Sequence, residues 1–440
     1  MRQAFSPSAP RRVAIKTLGC KTNQYESAYL RERLPAELCS IVGEDDYADV
    51  YVLNTCTVTH RADQECRQIL RRMQRRNERA VVIVTGCYAQ VAPDRIARLP
   101  GIDYIVGNGL KDRILPLIVH AEKQSPPVTL LSDIAGTREI LDMPVRTFGG
   151  QTRAFLKIQD GCNHACTFCI IPKARGRSRS LPPERVIAQM HEMRKGGHRE
   201  VILTGIDIGS YGRDLRPSTT FTELLRRIAK EAPVPRVRIS SIDPRDLRRE
   251  IIDLVATSPI FCPHFHLSLQ SGDDEILKSM RRAYHTAYFE GLLDDLRRHL
   301  PDAAIGIDLM VGFPGESVGH FDRTLRNLER WPITYFHVFP YSPRSQTPAS
   351  TMAGQVPHEE KLRRCKIARR LGERKKRDFY EVQLGKEEEI LVETTGERIR
   401  GFTRNYIPVT LPAPAIPVVP GTILPVRLQR IEKNRVVASM

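Results

Sequence analysis

Three cysteines fall within eight residues, in the run Gln159-Asp160-Gly161-Cys162-Asn163-His164-Ala165-Cys166-Thr167-Phe168-Cys169, and they constrain the chain more than any other feature. The run directly follows a strand-like stretch, Ala154–Gln159. Three thiols this close in sequence can wrap one metal centre. A structural zinc site takes four protein ligands. The loop supplies only three, so either one metal position stays open to a small molecule, or His164 or a distant cysteine completes a zinc knuckle.

The strand Ala154–Gln159 opens a series. Further strand-like runs lie at Glu200–Leu203, Arg236–Ser240, His264–Leu269, Ile305–Val311 and Thr334–Phe339, separated by polar or helical stretches. Six such units predict a partial (β/α)6 barrel, whose active site lies at the C-terminal ends of its strands. Polar residues gather at those ends. Thr204-Gly205-Ile206-Asp207 follows the second strand, Ser240 and Ser241 end the third, Ser268 and Gln270 end the fourth, and Asp308 lies in the fifth. With Arg282, which sits in a helical segment after the fourth strand, Gly205, Asp207, Ser241 and Gln270 are the candidate cofactor contacts. Singly, each is also an ordinary turn residue.

Upstream, Val13–Leu18, Asp49–Leu53 and Ala80–Thr85 read as strands, with helices at Tyr25–Leu34 and from Ala62 to Arg76, which predicts a parallel α/β sheet. Each strand stops at a cysteine: Gly19-Cys20, Asn54-Thr55-Cys56 and Gly86-Cys87. In a parallel sheet these ends share one edge, where ligands bind. Three thiols can therefore converge without a local motif, again leaving one metal position open; the alternative is three buried structural cysteines. Cys39, Cys66, Cys262 and Cys365 lack this placement and read as structural, Cys66 being nearest to the pattern.

The domain boundaries expected are 11–120, a linker at 121–147 that can carry a short strand at Val128–Leu131, 148–376, and 377–440. A very basic helix is expected from Glu359 to Phe379. After it, from Glu387, alternation of apolar and polar residues with Val, Thr, Pro and Gly predicts a small all-β barrel. The formal net charge of +17 draws a polyanion partner. The basic clusters Arg67–Arg79, Lys173–Arg179 and Lys361–Arg377 fit phosphate tracking, and each is also a plausible solvated face. Lys173, Arg175, Arg177 and Arg179 stand out because they follow the cysteine loop; Phe402, Arg404 and Tyr406 in the β-barrel suit stacking on or gripping RNA, with Phe402 equally able to be core. The polar N-terminus and the lack of any long apolar run predict no membrane span and a cytoplasmic location. There, ten cysteines are thiols or metal ligands rather than disulfides.

The cysteine loop resembles the signature of the radical S-adenosylmethionine superfamily. Thr17-Leu18-Gly19-Cys20-Lys21-Thr22-Asn23-Gln24-Tyr25-Glu26-Ser27, Asn54-Thr55-Cys56-Thr57-Val58-Thr59 and Thr85-Gly86-Cys87-Tyr88-Ala89-Gln90 extend the resemblance to the methylthiotransferase family within it. The order of domains matches too: an α/β domain, a radical barrel, then a small β-barrel called TRAM. The first of those runs, with Ala62-Asp63-Gln64 and Gly401-Phe402-Thr403-Arg404-Asn405-Tyr406, resembles the branch acting on N6-threonylcarbamoyladenosine of tRNA.

The resemblance implies two 4Fe–4S clusters, one on Cys162, Cys166 and Cys169 and an auxiliary one on Cys20, Cys56 and Cys87, with S-adenosylmethionine bound at the former and the Gly205 region facing its methionine part. It implies a methyl transfer to sulfur at the auxiliary cluster, radical hydrogen removal from carbon 2 of the adenine, and joining of the methylthio group there. The partners implied are the tRNA anticodon loop, an electron donor such as flavodoxin or ferredoxin, and a sulfur donor. The rival readings are a methylthiotransferase acting on isopentenyladenosine or on a ribosomal-protein aspartate, and a non-enzymatic, zinc-stabilised RNA-binding protein. No catalytic residue beyond the cluster ligands is assigned.

Overall fold

A computed structural model describes residues 9–412 and 417–440. The chain divides into two compact units. The first takes in the described residues through Val145 with Gln159–His164 and Cys169–Ser180; the second comprises Arg146–Ile158, Ala165–Phe168 and the remainder from Leu181. The cysteine loop thus contributes Cys162 and Cys169 to the first unit and Cys166 to the second.

The first unit is built on a parallel sheet of β1 (Arg11–Thr17), β2 (Cys39–Ile41), β3 (Val50–Thr55), β4 (Val81–Gly86), β5 (Tyr104–Val106) and β6 (Val128–Leu130), in the order β2-β1-β3-β4-β5-β6. Every residue of β3 and β4 is buried, because helices cover both faces of the sheet. Tyr51, Leu53, Val82 and Val84 pack on one side; Val50, Val52, Val81 and Ile83 pack on the other. Register sets Thr17 beside Asn54 and Asn54 beside Thr85, so β1, β3 and β4 end level.

The three long strands were legible; β2 and β5, at three residues each, are too short to show a period. The stretch expected as a linker adds the edge strand β6, paired to β5. The first helix runs Lys21–Arg33 and so begins four residues before Tyr25, immediately after Cys20. A short antiparallel pair, β8 (Gln159–Asp160) with β9 (Arg179–Ser180), also belongs to this unit.

The second unit carries the six parallel strands expected: β7 (Arg153–Lys157), β10 (Glu200–Thr204), β11 (Arg236–Ile239) continued as β12 (Ser241–Ile242), β13 (His264–Gln270), β14 (Ala304–Val311) and β15 (Tyr335–Pro340). Pairing runs β7-β10-β11 and β12-β13-β14-β15, so the third strand breaks at Ser240 and the barrel is partial. Alternation sorts the side chains. Phe265, Leu267 and Leu269 of β13 and Ile305, Ile307 and Leu309 of β14 are fully buried beneath the helices. His264, His266, Ser268, Gln270 and Asp308 take the opposite, interior face.

The basic helix runs His358–Gln383. It leads into a closed barrel of β16 (Glu387–Thr394), β17 (Arg398–Thr403), β18 (Pro408–Pro412), β19 (Ile423–Glu432) and β20 (Arg435–Ser439), ordered β16-β17-β18-β20-β19. Its core of Ile390, Val392, Ile399, Val409, Leu428 and Val436 takes in Phe379 and Tyr380 from the helix.

Candidate metal centre

Three thiols meet at the level ends of β1, β3 and β4. Gly19 turns the chain after β1 with φ +95°, and a Cβ there would stand 2.7 Å from the Cβ and 2.9 Å from the Sγ of Cys56. Gly86 does the same after β4, where a Cβ would lie 2.4 Å from the Thr55 carbonyl oxygen. Only glycine permits both the conformation and the approach. Cys20 occupies the N-cap of the helix Lys21–Arg33, and Cys87 opens the helix Cys87–Val91. Burial pushes the Cys56 thiol up to about 12, and the nearby Cys87 and Cys20 sulfurs add to the rise. Cys87 is raised by burial and by Cys20, against the pull of Arg175 and Lys111.

Polar side chains lock the three strand ends together. Asn23 Nδ2 donates to the carbonyls of Leu18 (2.7 Å) and Thr55 (3.0 Å). Asn54 Nδ2 donates to the Asn23 carbonyl (3.0 Å) and Ser27 Oγ (3.1 Å). Thr55 Oγ1 donates to the Thr85 carbonyl (2.5 Å) and accepts from Tyr88 N (3.1 Å). Asn108 Nδ2 reaches Cys87 Sγ at 3.8 Å.

Beneath the thiols lies a closed charge network. Arg175 is fully buried; its guanidinium donates to Glu26 (2.9 Å), Asp160 (3.0 Å) and Asn23 Oδ1 (2.5 Å). Lys111, also buried, pairs with Glu26. Burial opposes the charge on Arg175, but Asp160 and Glu26, with the Cys87 and Cys20 sulfurs, outweigh it and raise the group well above its ordinary value. Its Nε is buried without a hydrogen-bond partner. Converging sulfurs, glycine-tight turns and a spare buried N–H beside them fit a sulfur-rich anionic cluster. Cys66 is buried in the core behind, its thiol donating to the Cys56 carbonyl at 3.7 Å and pushed up to about 12 by burial. Cys39, Cys262 and Cys365 are buried and free.

At the C-terminal ends of the second unit's strands, Arg282 lies 3.7 Å from Cys166 Sγ. Its Nη2 donates to the Ser268 carbonyl (2.7 Å) and pairs with Asp243 (2.9 Å). Burial works against its charge; Tyr284 and Asp243 outweigh burial and leave it raised. Ser241 pairs with His266 in register, one strand over. Gln270 adopts φ +71° with its Oε1 buried and unpartnered. Asp207 is buried, following β10 and Gly205, and its charge helps raise the Asp246 carboxyl, after burial itself. Arg282 thus stands beside the loop's Cys166, and Gly205 and Asp207 follow the end of β10.

Residues 156–328 match the Radical SAM superfamily, and residues 12–107 match the Uncharacterized protein family UPF0004. The chain is 37% identical over 398 residues to the Threonylcarbamoyladenosine tRNA methylthiotransferase MtaB of Aquifex aeolicus (strain VF5), covering 90% of this chain and 96% of that protein. The chain belongs to the radical S-adenosylmethionine methylthiotransferase family. It is also 33% identical over 428 residues to a tRNA-2-methylthio-N(6)-dimethylallyladenosine synthase of Moorella thermoacetica (strain ATCC 39073 / JCM 9320), covering 95% of this chain and 96% of that one. The radical S-adenosylmethionine methyltransferase TsrM of Kitasatospora setae shares the fold, with TM-score 0.56 at 15% identity over 78% of this chain and 77% of that chain.

In this methylthiotransferase-family chain, the basic run after the cysteine loop divides in two. Lys173 and Arg177 are exposed, as a phosphate contact requires. Arg175 and Arg179 are buried, and both pair with Asp160. These two candidates for gripping RNA set their charge against an internal carboxylate. The β-barrel residues are also engaged. Arg153 stands 4.7 Å over the Phe402 ring, Arg238 stands 4.9 Å over Tyr406, and Arg404 Nη2 donates to the Phe261 carbonyl (2.8 Å). These contacts seat the β-barrel against the N-terminal ends of the radical-barrel strands. Phe402 and Tyr406 still line a cavity of about 360 Å³ shared with Lys376 and Arg435.

Sequence reasoning missed Asn23, Glu26, Lys111 and Asp160. Asn23 and Glu26 lay inside the matching run around Cys20, and two polar residues on the face of a helix that must pack on a sheet were the available signal.

Proposed function

We propose that this chain adds a methylthio group to carbon 2 of N6-threonylcarbamoyladenosine at position 37 of tRNA, beside the anticodon. The observation that carries the reading is the convergence of Cys20, Cys56 and Cys87 at one sheet edge, in a chain that also bears the radical cysteine loop. One thiol triad serves a radical enzyme; a second, built from three separate strand ends, answers the need for a place to hold sulfur. The threonylcarbamoyladenosine branch is preferred because the relative of that name is 37% identical, against 33% for the dimethylallyladenosine synthase, which remains the second reading.

In this reading residues 11–120 hold the auxiliary cluster on Cys20, Cys56 and Cys87, residues 148–376 hold S-adenosylmethionine and, with Cys162, Cys166 and Cys169, the radical cluster, and residues 377–440 grip tRNA, with 121–147 as the connection. When bound, the clusters and S-adenosylmethionine supply the radical that opens a carbon–hydrogen bond and the sulfur and methyl that replace the hydrogen. The protein's own part is positional. Gly19 and Gly86 let the backbone close on the thiols, Asn23 and Thr55 fix the strand ends, and Arg175 and Lys111 offset negative charge on the sulfurs. Gly205, Asp207, Ser241, Gln270 and Arg282 would orient the cofactor, and Arg282 keeps a fixed positive charge beside Cys166. The anticodon loop is single-stranded and read by splayed bases and phosphate contacts; Lys173, Arg177 and the cavity-lining Phe402 and Tyr406 are the proposed contacts.

Cofactor cleavage would be primed by one electron, given back when the sulfide-level methylthio group joins carbon 2, and each turnover uses up a sulfur atom, so a low-potential donor such as flavodoxin or ferredoxin and a sulfur donor are the proposed partners. Among the described residues no helix is long and apolar enough to cross a membrane; we place the enzyme in the cytoplasm with its tRNA. The experiment is nucleoside mass spectrometry of tRNA from cells with and without this gene product. Loss of 2-methylthio-N6-threonylcarbamoyladenosine is expected. Loss of the isopentenyl derivative instead would establish the second reading, and no change in either would remove both.

A further inference from the structure

Three polar side chains meet on the interior face of the radical barrel. His266 comes from β13, Asp308 from β14 and His337 from β15, three neighbouring strands in which Asp308 pairs with His337 in register. Their imidazole nitrogens and carboxylate oxygens lie within 4.8 Å of one another. His266 Nε2 and His337 Nδ1 each stand 3.7 Å from the same oxygen, Asp308 Oδ1. That is too long for a direct hydrogen bond and right for a polar atom seated between. We propose that His266, Asp308 and His337 form the subsite that receives the polar substituent on N6 of the target adenine, a ureido-linked amino acid bearing a hydroxyl and a carboxylate; this rests on the substrate reading above.

Position supports it. Ser268 follows His266 by two residues on the same interior face, and Arg282 binds Ser268 while touching Cys166. His266 therefore lies two residues before the serine that Arg282 holds. Carbon 2 and N6 of adenine flank N1 on a single edge of the ring, so a base offering carbon 2 to chemistry at the strand ends carries its N6 group close by. His264 Nε2 is bonded to the Tyr335 hydroxyl (2.8 Å), and the His266 ring stacks on Tyr335 at 5.9 Å. Gly306 makes room for that tyrosine, since a Cβ there would fall 2.2 Å from its ring. His337, on the edge strand β15, keeps 62% of its side-chain surface exposed and lines a groove of about 590 Å³ with Arg369, Lys376 and Tyr380 of the basic helix.

Chemistry supports it as well. Asp308 offers acceptors to a urea N–H or a hydroxyl, and the imidazoles offer donors to a carboxylate. An aliphatic substituent would strip water from Asp308 and the exposed His337 and return no hydrogen bond, so the subsite selects against it. His337 is largely exposed, so its truncation leaves no core cavity, and it is the deciding variant.

The test measures binding of the full-length, anaerobically reconstituted protein to two anticodon stem–loop RNAs, identical except that the target adenosine carries the threonylcarbamoyl group or none. Wild type should prefer the modified RNA by roughly tenfold or more. His337→Ala and Asp308→Asn should lose that preference while binding the unmodified RNA as wild type does, and His337→Gln, which keeps a donor, should restore part of it. Preference retained in His337→Ala would overturn the subsite. So would a stoichiometric zinc ion present in wild type and lost in that variant, which would assign the triad to a metal. A wild type that binds both RNAs alike and methylthiolates neither would instead refute the substrate reading itself.

Discussion

Gly19 and Cys56, one at the end of β1 and the other at the end of β3, are packed so that a Cβ on residue 19 would lie 2.9 Å from the Cys56 sulfur. The backbone of one strand end is thus the wall against which the thiol of the next is set. Gly19→Ala meets two penalties: a left-handed backbone costing about 1–2 kcal/mol, and a clash that pushes Cys56 out of line. Iron per chain in anaerobically reconstituted Gly19→Ala should fall from about two clusters toward one, with 5′-deoxyadenosine formation persisting. Full iron content would show that Cys56 position is not set by this contact.

Glu26 is the hub of the buried network, paired to both Arg175 and Lys111. Glu26→Gln leaves two buried cations short of an anion, and breaking a buried pair in this way costs about 3–5 kcal/mol. Denaturant unfolding of the apo protein should show a loss of that size. A change under about 1 kcal/mol would mean the cations relax to water instead.

Much of this was readable in advance. Cys20, Cys56 and Cys87 each follow a buried apolar strand, and level strand ends are what a parallel sheet provides, so their meeting followed from three local patterns. Arg175 shows where such reading stops. In sequence it is one cation of four in Lys173–Arg179, all equivalent. In the fold the short helix Ile171–Arg175 turns it inward to Glu26 and Asp160, while Lys173 and Arg177 face water. Its partner Glu26 is 149 residues away and Asp160 is 15, and no periodicity pairs either with it. Asp308 stood out as a polar residue in the fifth strand, but its neighbours His266 and His337 were hidden for a related reason: β13 and β15 signal through their buried alternate residues, and the interior face carries no hydrophobic signature.

The two cysteine triads should fail differently. Alanine at Cys162, Cys166 or Cys169 removes the local triad next to Arg282 and should abolish 5′-deoxyadenosine production while leaving iron at the other site. Alanine at Cys20, Cys56 or Cys87 should leave cofactor cleavage measurable and stop methylthiolation of tRNA. Chromatographic assay of both products on each variant checks this, and a Cys56→Ala protein that still modified tRNA fully would dismiss the auxiliary site.

The divided basic run makes the last prediction. An exposed cation that neutralises a phosphate releases counterions, so its loss weakens binding and flattens the salt dependence by about 0.7–1 per contact in the slope of log K against log salt. Lys173→Ala and Arg177→Ala should each do this, equally for modified and unmodified stem–loops, because phosphates carry no base identity. Arg179 is buried beside Asp160, so Arg179→Ala should leave the salt slope as it is and show its effect in stability. Affinity measured across a salt series separates the two kinds of arginine; a slope unchanged in Arg177→Ala and reduced in Arg179→Ala would reverse the assignment.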